Sequence, residues 1–137
     1  MATNVLTQSN SGQPSSGATL WTMRSLRILL ALAFLAAGSA KLASVPMMVQ
    51  VFDTLGLGQW FRYVTGVVEI VGAVALLIPS YAVLGAAWLG ITMFFATLAH
   101  LFVLHTSPAP ALTLLALSAV IITLGRNQVK ELVARFS

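Results

Sequence analysis

Few ionisable side chains fall inside or at the edge of otherwise apolar stretches of this sequence: Lys41, Glu69 and His100, with Arg62 and His105 near the boundary. A charge at mid-bilayer costs about 2.5–3.5 kcal/mol on insertion scales, so such residues turn toward a bundle interior and toward a partner. A lysine beside a carboxylate can form an ion pair. A carboxyl group withdrawn from water can also exchange protons, and an imidazole can relay a proton or donate a hydrogen bond to a carbonyl such as that of a quinone. The same three residues could equally lock helix register, with Lys41 and Glu69 as a structural pair and His100 bonded to Glu69 or to a backbone carbonyl. The residues alone leave both readings open, as a structural lock or as a ligand- or proton-handling site.

Each of the three lies on a stripe of small residues. Ala37 and Gly38 precede Lys41, Gly66 and Gly72 flank Glu69 at three residues each way, and Ala96 and Thr97 precede His100. Small residues at helical spacing let helices approach closely, so Gly38, Gly66 and Gly72 are expected helix-packing positions. Counting inward from the ends of the runs puts Glu69 roughly 8 Å and His100 roughly 6 Å below one membrane surface, level with Lys41 at the end of its own run. Asp53 and Arg62 read as solvated interface charges. Met47, Met48, Met93, Phe94 and Phe95 read as packing or lipid contacts.

Other chemistries find no support. The chain has no cysteine, which excludes disulfides and thiolate sites within it. His100 and His105 fall on different faces of one helix, so no metal site is expected. No nucleophile–base pairing, phosphate loop or haem-type histidine pair stands out. The net charge of +4 comes from seven Lys and Arg residues at the ends of apolar runs, which suits membrane anchoring and not nucleic acid.

The elements that must position these residues follow from hydropathy. Of 137 residues, 58% are hydrophobic and 7% charged, against roughly 25% charged in soluble domains. So much apolar surface must face lipid. Four apolar runs, at about 26–43, 60–78, 81–104 and 109–125, reach the length of a bilayer crossing and show no alternation of strand type. Short links at Pro79–Ser80 and around Pro108 and Pro110 force antiparallel neighbours. The expected fold is all-α: a polytopic membrane protein built as an antiparallel bundle of four transmembrane helices. Residues 24–126 form that domain.

The longer first link suggests a short interfacial helix at about 45–55, with Ser44 as N-cap, Pro46 just inside and Gly56 and Gly58 ending it. Residues 1–23 are polar and uncharged and are expected to be a disordered tail. Residues 127–137 form a basic tail. Arg24, Arg27, Arg126, Lys130 and Arg135 share one side of an even number of spans, so both termini are expected in the cytoplasm, with Trp60, Tyr63 and Tyr81 in interfacial belts. A signal-peptide reading with cleavage after Ala40 would leave an odd number of spans and put the basic tail on the wrong side.

The segments "GSAKL" (38–42), Phe52 and Gly56, "GVVEIVG" (66–72) and "LLIP" (76–79), followed by His100 late in the third run, resemble the DoxX-like family of small four-helix membrane proteins. The resemblance covers about residues 26–125. It implies that the family's characteristic Lys, Glu and His correspond to Lys41, Glu69 and His100. Some relatives are associated with membrane redox systems, such as the small subunit of thiosulfate:quinone oxidoreductase. The resemblance thus implies an inner-membrane accessory subunit, with a redox enzyme or a second copy as partner and a quinone-like or other lipophilic molecule as ligand. The chain offers no redox group of its own and is not expected to be an autonomous enzyme. An assembly or stability factor, and a small-molecule or proton transporter, are the alternatives.

Overall fold

The computed structural model describes residues 17–136, the side chains at 128, 129 and 132 aside. Every regular element among them is helical: α1 (Gly17–Leu42), α2 (Pro46–Leu55), α3 (Gln59–Leu77), α4 (Ala82–Ala99), α5 (Ala109–Leu124) and α6 (Arg126–Phe136). A 3-10 turn at Pro79–Tyr81 leads into α4, and a π turn at His100–Leu104 extends it.

Residues 1–16 of the expected polar tail lie outside the described residues, but its last part is helical. Helix α1 is described from Gly17 on, and the Thr22 hydroxyl donates to the Ala18 carbonyl at 2.9 Å. Met23 packs against the apolar core and approaches Gly125. The added turns therefore have something to pack on, which composition alone does not reveal.

Ser44 does not cap α2. It takes a left-handed conformation (φ 58) and ends α1, with the Val45 N–H bonding Ala40 O at 3.1 Å across it. That bond closes a carbonyl the helix would otherwise leave open. The residue at the N-cap of α2 is Val45, which makes no side-chain capping bond, and Pro46 sits in the first turn. Gly56 (φ 76) then stops α2, its N–H bonding Phe52 O and Asp53 O.

Helices α1, α3, α4 and α5 pack in cyclic order, α1 on α3, α3 on α4, α4 on α5 and α5 back on α1. Their shared core is Leu30, Ala31 and Phe34 from α1, Ala73 and Leu76 from α3, Ala86, Leu89 and Met93 from α4, and Ala111 and Ile121 from α5. Glycines set the closeness of two contacts. A Cβ on Gly38 would stand 2.9 Å from the Gly66 carbonyl oxygen, and one on Gly72 would stand 2.6 Å from Leu89. At Gly38 the obstacle is backbone, so α1 and α3 meet there only because the position carries no side chain; at Gly72 the space is taken by the Leu89 side chain.

The outer faces are apolar. Leu29, Leu32, Val71, Trp88, Ile91, Phe95 and Phe102 are all exposed. Three helical stretches are long and apolar enough to cross a bilayer: Gly17–Leu42, Gln59–Leu77 and Pro79–Leu104. The fourth expected span corresponds to α5, apolar but only 16 residues long.

Candidate functional site

Glu69 projects from the middle of α3 into the interior and is 2% exposed. Its Oε2 accepts a 3.0 Å bond from Nζ of Lys41 in the last turn of α1. Two antiparallel helices are thus joined at the same place where Gly38 and Gly66 bring their backbones together. Where these small residues let the helices approach, the Lys41 side chain reaches the carboxylate on the neighbouring helix.

Arg62 completes the cluster, and its burial corrects the expectation of a solvated interface charge. It is 3% exposed, and its Nη1 donates to the carbonyl oxygen of Lys41. Its Nε donates to Gln59 Oε1 at 2.7 Å. Gln59 in turn donates through Nε2 to Asp53 Oδ1 at 2.6 Å and to Val49 O at 3.1 Å, both on α2. The physical reason lies in the helix ends. Arg62 stands in the first turns of α3, where the helix dipole disfavours a cation. The C-terminal carbonyls of α1 lie alongside with the opposite polarity, and that of Lys41, held only by a long 3.4 Å contact from the Ser44 N–H, has acceptor capacity to spare. Burial is tolerated because that carbonyl accepts the guanidinium proton. Arg27 does the same at the far end of the pair, its Nε donating to Leu76 O of α3 at 2.8 Å.

His100 does not join Glu69. It lies in the π turn, and its Nδ1 is 2.7 Å from Thr106 Oγ1. Its backbone carbonyl accepts the Thr106 N–H at 3.0 Å. The helix register shows why a depth count misplaces it. Gly72 meets Leu89 and Gly85 meets Ala75 across the α3–α4 contact. That register sets Glu69 opposite the neighbourhood of Ile91. His100 then lies opposite the start of α3, roughly 13 Å further along at 1.5 Å per residue. Equal depths would require the third run to end level with the start of the second. The helical stretch that carries it, Pro79–Leu104, spans 26 residues, against 19 for α3, and overshoots it. Through this overshoot the π turn comes to rest against α2.

The polar interior is closed on itself. Among the described residues no buried side-chain nitrogen or oxygen lacks a hydrogen-bond partner. Thr97 and Ser118 bond carbonyls of their own helices, Met93 O and Leu114 O. Among the grooves on the outer surface of the described residues, two lie between neighbouring helices. One, of about 330 Å³, runs between α4 and α5 along Gly90, Phe94, Leu115 and Ala119. The other, of about 180 Å³, lies between α3 and α4 beside Val71, Tyr81 and Trp88. Neither is lined by Lys41, Glu69, Arg62 or His100. No group of three or more His, Cys, Asp or Glu residues that could hold a metal occurs among the described residues.

Sequence reasoning missed Arg62 and Gln59. The available signal was an arginine at the unfavourable end of a helix, three residues after a glutamine, following a link that carries the lone Asp53.

Comparison with known proteins bears on the whole of this architecture. No curated protein and no solved structure matches the chain at a significant level. Residues 25–124 match the DoxX-like family, a stretch that holds α3 and α4 in full, nearly all of the polar cluster's scaffold, and every residue named in it. With its apolar outer faces and its membrane-length helices, this integral membrane protein belongs to the DoxX-like family.

Proposed function

We propose that this chain is an accessory subunit of a membrane redox system, crossing a bacterial-type inner membrane four times as an antiparallel bundle with both termini in the cytoplasm. The observation that carries the accessory reading is the closure of the Lys41–Glu69–Arg62 network. Each polar group in it is committed to another group of the same chain. Such a network holds α1, α2 and α3 in one register and leaves the apolar outer faces as the surface offered to a larger partner. The association with redox chemistry rests on the family resemblance. The orientation rests on charge: the approach of Met23 to Gly125 groups Arg24, Arg27 and Arg126 at one end.

A quinone-like ligand would need space for its ring beside a donor; the two grooves described above offer apolar walls, away from the pair. A second reading, in which Glu69 handles protons or a small lipophilic molecule, is supported by the withdrawal of its carboxyl group from water, at 2% exposure.

The test is purification of wild type and Glu69→Gln from native membranes in parallel. Mass spectrometry of co-purifying proteins and of extracted lipids then separates the readings. The accessory reading expects a stoichiometric protein partner and the same lipid profile in both samples. A lipophilic molecule present in wild type and lost from Glu69→Gln would replace it with the second reading.

A further inference from the structure

Helix α6 follows α5 after the single residue Gly125 and packs against α4 and α5. Its composition differs from every other helix in the chain. Arg126, Lys130 and Arg135 are exposed, with Glu131 as the one acidic residue. Val133 and Phe136 are exposed too, at 62% and 89%. At 100° per residue, Val133 and Phe136 share one arc of the helix. Arg126 and Lys130 border that arc on one side and Arg135 on the other. Apolar residues on one face with cations along both of its edges is the arrangement of a helix lying in a membrane interface, where acyl chains take the face and headgroups the edges.

We infer that α6 is an in-plane helix that docks on the anionic headgroups of the leaflet from which α5 emerges. Three observations on the molecule select this occupant over another protein. The helix starts where a span ends, so the lipid surface is its immediate neighbour. Its charge is complementary to anionic headgroups. The nearby start of α1 adds the exposed Arg24 to the same positive border, brought there by the approach of Met23 to Gly125. The inference rests on α5 crossing the bilayer, as proposed above.

The absence of cysteine makes site-directed labelling direct. Single variants Val133→Cys, Asn127→Cys and Ala116→Cys of the full chain carry an environment-sensitive fluorophore. They are reconstituted at high lipid-to-protein ratio in vesicles of phosphatidylcholine alone or with phosphatidylglycerol. The label at 133 is expected to be quenched by nitroxide-bearing acyl chains and shielded from aqueous iodide, and the label at 127 to show the reverse. Docking should strengthen with phosphatidylglycerol and weaken with salt, since each basic residue near such a surface is worth about fivefold. Neutralising Arg126, Lys130 and Arg135 together to Gln should therefore shift the helix roughly a hundredfold toward water. Equal iodide access at 127 and 133 in both lipids overturns the inference. So does protection at 133 that depends on protein density instead of lipid charge, which would mean a second copy covers the face. The label at 116 checks the underlying reading separately: water access there would show that α5 does not span, whatever α6 does.

Discussion

At the scale of single residues, the interior is governed by one pair and the arginine beside it. Removing one member of a buried ion pair leaves an uncompensated charge and typically costs 3–5 kcal/mol, whereas replacing both by apolar groups is often close to neutral. Lys41→Met and Glu69→Leu should each destabilise the protein by about that amount, and the double variant by much less than either. Equilibrium unfolding in mixed micelles measures all three. Additive losses in the double variant would mean that the 3.0 Å contact contributes no coupling. The pairing itself was legible in the sequence, because two charges in apolar runs have few other ways to be tolerated. His100 was less legible. Its position depends on how far one helix overshoots another, and its partner, Thr106, lies beyond a π turn that no periodicity announces.

At the scale of elements, small residues decide how closely the helices approach, but not equally. A Cβ on Gly38 would meet the Gly66 carbonyl oxygen at 2.9 Å, backbone that cannot step aside. A Cβ on Gly90 would meet nothing nearer than Ser118 at 3.5 Å, an ordinary contact. Gly38→Ala should therefore cost about 1–3 kcal/mol through forced separation of α1 from α3. Gly90→Ala should be neutral or stabilising by up to about 1 kcal/mol, because alanine is the better helix former. Thermal unfolding of the two variants side by side checks the contrast. The sequence marks Gly38 by its place three residues before Lys41, but it does not say what either glycine faces. The identity of the facing atoms sets the difference in cost. The same holds for Ser44, whose type fits a helix start and whose position in the chain makes it a helix end.

At the scale of the whole molecule, hydropathy carried the all-α class and the membrane setting, since so few charged residues leave no other solvent for the apolar faces. It treated the four runs as equivalent, and they are not. Helix α5 has 16 residues, which is about 24 Å of helix against a hydrocarbon core of ~30 Å. If α5 crosses as proposed, one flank of the protein is thinner than the membrane around it. Hydrophobic mismatch of this kind is relieved by thinning the bilayer locally, at a cost of fractions of a kcal/mol per ångström. The protein should accordingly resist unfolding better in vesicles of shorter-chain phosphatidylcholine than in those of longer chains, and a stability that is flat across chain length would count against a spanning α5. The short helix thus acts as a gauge: it makes the thickness of the surrounding lipid a variable to which this protein responds.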